Sequence, residues 1–310
     1  MHPRLAALLL AVLGWIGPWS APAAPLRVLT TLPPLQAVAA DIVGTYGQVE
    51  NWLAGGGDPH DFQFTARDLR RLQDADLLIV NGLGLEAWLQ RALQRAGQPP
   101  RLRVVEAAAG IPLSALIVGQ CADHDHGHEG HEHHQHPINP HVWLDPVLVR
   151  YMVTNIWQAV AAADPANAAG YQRNAEALVE RLRVLDEEFE RRLGPVRQQP
   201  FIAYHDAFPY LVRRYQLRQA GVVEESAEVE PSARHLSGLA ASVRAEGVRV
   251  MFIEPGGARR LAQRFAQDLG LNLATLDPLE QTAMPGPGAY DVAMRRNLDA
   301  LEAALKPAAQ

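Results

Sequence analysis

The chain reads as an α/β protein of two lobes, each built from parallel-sheet βα units, joined by one long rigid helix with a ligand site between the lobes. Three observations predict this. Short β-branched and apolar runs recur, each followed by a turn and a helical pattern. The scheme occurs in both halves of the chain, and a single apolar stripe of helical period lies between them. In the first half the runs are LRVLTT near Leu26, VENWLA near Val49, DLLIVN near Leu77 and LRVVE near Val104. In the second half FIAYHD, LRQAGVV, VRVMFIEP and LNLATLDP repeat the pattern.

The connector begins at Asp164-Pro165, which has the form of a helix start with Asp as N-cap and Pro in the first turn. Tyr171, Ala175, Leu178, Leu182, Leu185, Phe189 and Leu193 then recur at spacings of three and four until Gly194-Pro195 ends the helix. The expected organisation is an N-terminal lobe over 24–163, a linking helix over 164–194 and a C-terminal lobe over 195–310. Asp186, Glu187, Glu188, Glu190, Arg191 and Arg192 are expected on the helix's solvated face. A continuous helix between lobes predicts a small lobe adjustment on ligand binding in place of wide hinge closure.

Residues 1–23 have the layout of a secretory signal peptide: Arg4, an apolar run from Leu5 to Ile16, then Ala21-Pro22-Ala23. That run is too short to span a bilayer, and no later segment reaches about 18 consecutive apolar residues. The only cysteine is Cys121, so no internal disulfide is possible and no cysteine near the cleavage site is there to take a lipid. A periplasmic protein, exported and not lipid-anchored, is the expectation. The net charge of −6 at pH 7 and the lack of a basic run argue against nucleic-acid binding.

Between Cys121 and Pro137 lies a histidine-rich segment. His124, His126, His128, His131, His133, His134 and His136 make up seven of the thirteen residues from 124 to 136. Neutral imidazole suits Zn, Cu, Ni and Fe, and a His, Gly and acid tract cannot build a core. Many interchangeable ligand sets fit capture or buffering of metal better than one rigid site.

Four other histidines lie beyond the signal peptide. His60 sits in GGGDPHDF, a Gly-rich turn after the second strand; His141 sits in NPHVWLDP; His205 directly follows FIAY. Asp277 directly follows the strand LNLATL. Ligands collect beyond the carboxyl ends of parallel strands, and two facing lobes bring two such edges together. Three imidazoles and one carboxylate make a closed tetrahedral set of the kind that holds zinc. Singly, each residue also reads as an ordinary turn, strand-end or cap residue. His235, in PSARHLSG, is assigned to a helix surface or to support of the site. Asp61, Asp206 and Glu254 are candidates to orient the histidine rings, and the Glu-rich stretch from Val223 to Pro231 is a candidate to close over the metal.

The phrases GGGDPHDF, NPHVWLDP, AYHDAFPYL and EVEPSARHL, in that order and with a long helix between the second and third, resemble the receptors of bacterial zinc and manganese ABC importers. The zinc-uptake type of these cluster A-I solute-binding proteins is the nearest branch. The resemblance covers essentially the whole chain after the signal peptide. It implies two α/β lobes with the metal buried between them, His60, His141 and His205 as histidine ligands, and Asp277 as the carboxylate. Manganese receptors of the family commonly carry glutamate where His205 stands, so the resemblance implies zinc. Two departures, the lack of a cysteine pair found in some zinc receptors and the segment IEPGGARRL, touch none of these residues.

The function expected is a high-affinity zinc-binding receptor, not an enzyme, that delivers Zn2+ to an ABC permease in the inner membrane. It is expected to act as a monomer, with a periplasmic zinc chaperone as a possible further partner. Two other classes stand beside it. A zinc buffer or chaperone would use only the histidine tract. A zinc hydrolase would keep a water on the metal, but no HExxH motif occurs and Asp277 would fill the open position.

Overall fold

A computed structural model describes residues 25–53, 59–60, 62–97, 99–118, 138–224, 231–256 and 259–306. The N-terminal half contains β1 (Leu26–Thr30), α1 (Pro33–Val43), β2 (Gly47–Asn51), α2 (Ala66–Asp74), β3 (Leu77–Val80), α3 (Leu89–Ala96) and β4 (Arg103–Glu106). Two helices follow, α4 (Pro146–Ala163) and α5 (Ala168–Leu193). The C-terminal half runs through β5 (Phe201–His205), α6 (Pro209–Arg214), β6 (Gln219–Glu224), α7 (Ala233–Glu246), β7 (Val250–Ile253), α8 (Arg259–Leu269), β8 (Asn272–Thr275) and α9 (Ala289–Leu305). Each of the eight expected runs forms a strand.

The strands make two four-stranded sheets, ordered β2-β1-β3-β4 and β6-β5-β7-β8, and every pairing is parallel. Parallel sheets are covered on both faces, so their inner strands carry unbroken apolar runs. Every residue of β3 (LLIV) and β5 (FIAYH) is accordingly buried, whereas the edge strand β4 is mostly exposed.

The stripe on α5 is buried at all seven positions from Tyr171 to Leu193. It packs against α1 and α4 on one side and α9 on the other. One continuous hydrophobic core therefore runs from α1 through α4 and α5 to β5, α6 and α9, and smaller cores lie on the outer face of each sheet. A shared core resists large lobe rotation, because interiors are close-packed and deform little. Arg181 of α5 adds a polar tie: it pairs with Asp41 of α1 (2.6 Å) and Asp291 of α9 (3.4 Å). Asp41 also accepts from the Gly288 amide just before α9 (3.1 Å). Burial outweighs these partners and raises the Asp41 pKa above its usual value.

Two local expectations change. Asp164 is the N-cap residue and Pro165 opens the first turn as expected, but that turn is 3-10 and the α-helix proper starts three residues later. Asp164 also ends α4, and its carboxylate accepts from the Tyr171 hydroxyl (2.6 Å) and the Asn167 side-chain amide (2.7 Å), closing the 3-10 turn over Pro165–Asn167 before α5 starts at Ala168. The acids of α5 are not all idle on a solvated face: Asp186 pairs with Arg214 (2.7 Å) and Glu188 with Arg295 (2.9 Å), linking α5 to α6 and α9. Among the described residues no helix is long and apolar enough to cross a membrane.

Leu182, fully buried at the middle of α5, tests the shared core. Leu182→Ala should lower stability by about 2–5 kcal/mol in denaturant unfolding. Circular dichroism and tryptophan fluorescence should still report one coincident transition. Separate transitions for the two halves would contradict a common core.

Candidate metal centre

His60 lies between β2 and α2, and contacts fix the described residues on either side of it. The Arg71 guanidinium donates to the carbonyls of Asn51 (2.8 Å) and Trp52 (2.9 Å). Thr65 and Asp68 form a capping box that starts α2. The Trp88 indole N–H donates to the carbonyl of Pro59 (2.8 Å), and the rings of Trp52, Phe62 and Trp88 pack together beneath.

His141 precedes the 3-10 turn Val142–Leu144 that leads into α4. The Asn81 amide donates to Pro140 O (3.0 Å), and Glu86 accepts from the Asn81 and Gly82 amides (2.7 and 3.0 Å) and the Thr31 hydroxyl (2.6 Å). His205 is the last residue of β5, and its Nδ1 meets Glu254 Oε1, just beyond β7, at 2.6 Å.

These three histidines converge from both lobes. Their ligand atoms all lie within 4.8 Å of one another, and the ring centroids are 5.1 to 6.4 Å apart. Three neutral imidazoles at such spacing can share one ion of borderline softness.

Asp277 is not brought to them. Its carboxylate accepts from the Leu279 amide (2.8 Å) and the Thr282 hydroxyl, while its backbone N–H and C=O bond to the Asn297 side chain. Asp277 is thus spent on shaping the turn after β8. Leu279, buried and with φ of +66°, reverses the backbone there. The next residue, Glu280, enters the cleft: Oε1 lies 3.0 Å from His141 Nε2 and 3.4 Å from His60 Nε2. The Trp143 indole N–H donates to Pro278 O (2.7 Å), fixing this loop against the segment that carries His141.

Of the residues expected to orient the rings, Glu254 does so. Asp206 accepts from Asn139 through its backbone carbonyl (2.9 Å) and its charge acts on the His205 ring, and Asp61 lies outside the described residues. His235, on α7, meets Val222 O through Nε2 (2.9 Å). The tract histidines His124, His126, His128, His131, His133, His134 and His136, and residues 225–230 of the Glu-rich stretch, also lie outside the described residues.

Burial acts in the same direction on the two deep histidines, but their carboxylate partners make the outcomes opposite. It pushes His141 below the usual histidine value, outweighing the attraction of Glu280. It also pushes against a charged His205, but the hydrogen bond and charge of Glu254, with Glu280 and Asp206 behind, prevail and lift that ring to about 9. For Glu280 burial is overcome by His141 and His60, which hold the carboxyl well below its usual range. The cleft therefore offers a neutral His141 and a carboxylate, with a proton resident on His205.

The family model described as zinc-uptake complex component A, periplasmic, matches residues 28–304. The chain belongs to that family. It is 33% identical over 284 residues to the high-affinity zinc uptake system protein ZnuA of Bacillus subtilis, covering 90% of this chain and 88% of that one. It is 29% identical over 280 residues to the zinc-binding lipoprotein AdcA of Streptococcus pneumoniae, covering 89% of this chain but 55% of that protein, so it spans about half of that relative's length. A Pseudomonas aeruginosa binding protein, FpvC, solved with Ni2+, superposes with a TM-score of 0.76 at 28% identity, covering 91% of this chain and 97% of that one.

Metal must displace the His205 proton, which moves the pH window upward from the ordinary histidine value of about 6.5. Apparent affinity for zinc should fall about tenfold per pH unit below about 9 and level off above it. Calorimetry in buffers of differing ionisation enthalpy should record release of about one proton per zinc at pH 7.5. Glu254→Gln should abolish most of that release; unchanged release would contradict the role given to Glu254.

Proposed function

We propose that this chain is a high-affinity zinc receptor of the periplasm, exported through residues 1–23, that binds Zn2+ between its lobes and delivers it to an ABC import permease. The observation that carries this reading is the convergence of His60, His141 and His205 from loops of both lobes onto one point beside a buried carboxylate. We assign the ligand set as these three histidines and Glu280, with Asp277 shaping the turn that presents Glu280. Family membership supports zinc as the transported ion and a permease as the partner. The chain acts as a monomer and makes or breaks no covalent bond in its cargo. It is not lipid-anchored in this reading, because Cys121, its one cysteine, lies far from the proposed cleavage site.

The chemistry of the site fits capture better than hydrolysis. Three neutral nitrogens and one carboxylate oxygen complete a tetrahedral zinc shell and leave no position for an activated water. The carboxylate cancels half of the ion's charge inside a poorly solvated cleft, where an uncompensated charge would be costly. Glu254 fixes the His205 tautomer, as a carboxylate behind a metal-bound imidazole commonly does. The histidine tract over 124–136 serves as an auxiliary, weaker collector that enters the chain just before His141, and a periplasmic chaperone is a possible alternative source of the ion.

Zinc titration against a competing chelator separates this reading from a buffer that uses the tract alone. His205→Ala should weaken the tight site by more than about 100-fold, whereas deletion of 124–136 should leave it within about threefold. The reverse result would favour the buffer. Glu280→Gln should weaken binding by about 10- to 100-fold and Asp277→Asn much less; equal losses, or a larger loss at Asp277, would return the carboxylate role to Asp277.

A further inference from the structure

We propose that Asn139 is a positioning residue for the bound metal, one that sets which nitrogen His141 presents and ties His141 across the cleft to the segment carrying His205. This rests on the zinc-site assignment above. Asn139 is 6% exposed and every polar group it has is used. Its Oδ1 accepts from the His141 backbone N–H (3.1 Å) and faces His141 Nδ1 at 2.9 Å. Its Nδ2 donates to the backbone carbonyl of Asp206 (2.9 Å) and lies 3.5 Å from Asp206 Oδ2. Its own amide donates to Ile117 O (2.8 Å), and its carbonyl accepts from the Tyr210 hydroxyl (2.7 Å).

The orientation of the side-chain amide follows from the backbone groups it meets. A backbone N–H can only donate, so the atom facing His141 N must be the oxygen; a backbone carbonyl can only accept, so the atom facing Asp206 O must be the nitrogen. An oxygen stands opposite each ring nitrogen, Asn139 Oδ1 at Nδ1 (2.9 Å) and Glu280 Oε1 at Nε2 (3.0 Å), so without a cation the two acceptors compete for the one proton of the neutral ring. A cation held between Nε2 and Glu280 settles that competition, leaving the proton on Nδ1, where the Asn139 oxygen accepts it. The two anchors belong to different lobes: His141 leads into α4, and Asp206 directly follows His205 at the end of β5. A single amide thus sets the tautomer of one ligand and the distance to another. Tyr210 of α6 extends the tie, since its hydroxyl also accepts from the Ile117 amide (3.0 Å).

Two substitutions separate positioning from plain support of the fold. Asn139→Ala removes the acceptor and the cross-lobe donor. Asn139→Asp keeps the acceptor at His141 but sets an oxygen against Asp206 O. The readouts are long-range 1H–15N correlation of the His141 ring in the zinc-loaded protein and chelator-competed zinc affinity. The parent and Asn139→Asp should show the proton on Nδ1; Asn139→Ala should show it redistributed toward Nε2. Zinc affinity should fall about 10- to 100-fold in Asn139→Ala and by a smaller factor, about tenfold, in Asn139→Asp. An unchanged tautomer with affinity within about twofold of the parent in Asn139→Ala would overturn the proposal. Should that variant not fold, Asn139→Asp decides, and parental zinc affinity there overturns it equally. His141→Ala is the control for the underlying assignment: if it too keeps full affinity, the zinc site itself is misassigned, whereas loss there with none at Asn139 sinks only the positioning role.

Discussion

The contact between Glu280 and His141 is the constraint around which the molecule is organised. It joins a carboxylate from the loop after β8 to an imidazole from the segment before α4, 139 residues earlier, inside a cleft from which most water is excluded. A buried charge is tolerable where it meets partners, and here the partners are the groups that would share a cation with it. Bringing them together needs two sheets whose carboxyl ends face each other. Duplicated βα units on either side of one helix supply that arrangement.

Holding the contact to within a fraction of an ångström requires that the lobes not drift. The shared core along α5 does most of this, since rotating one lobe would tear close-packed side chains from α1, α4 and α9. Polar ties near the cleft refine it. Trp143 donates to Pro278, the Tyr290 hydroxyl donates to Trp143 O (2.7 Å), and Asp41 holds Gly288, so the loop bearing Glu280 is pinned at both ends to the rest of the molecule. Such a frame favours metal capture by local loop and side-chain adjustment over wide closure of the lobes.

Much of this was legible in the sequence. The eight strands and the stripe from Tyr171 to Leu193 follow from hydrophobic period, which dominates wherever an element is buried along one face or both. His60, His141 and His205 were legible because each stands beside a turn or strand end in a parallel α/β frame. Which carboxylate the fold brings to them was not. In DPLE both Asp277 and Glu280 stand beyond the same strand, and choosing between them requires knowing that Asp277 closes a turn and that Leu279 adopts a left-handed backbone, a conformation a leucine rarely signals. Asp164-Pro165 was legible as the start of the connector, whereas the Tyr171 hydroxyl that binds the Asp164 carboxylate is a side-chain contact that no spacing rule contains. The upward shift of His205 was likewise hidden, because Glu254 lies 49 residues away on a neighbouring strand end.

The central claim is that one ion sits among three imidazoles and the Glu280 carboxylate, and anomalous scattering at the zinc absorption edge from metal-loaded crystals tests it most directly. The account predicts a principal peak about 2.0–2.1 Å from nitrogens of His60, His141 and His205 and about 2.0–2.2 Å from a Glu280 oxygen. A principal peak liganded by Asp277, or one confined to the histidines of 124–136, would contradict it.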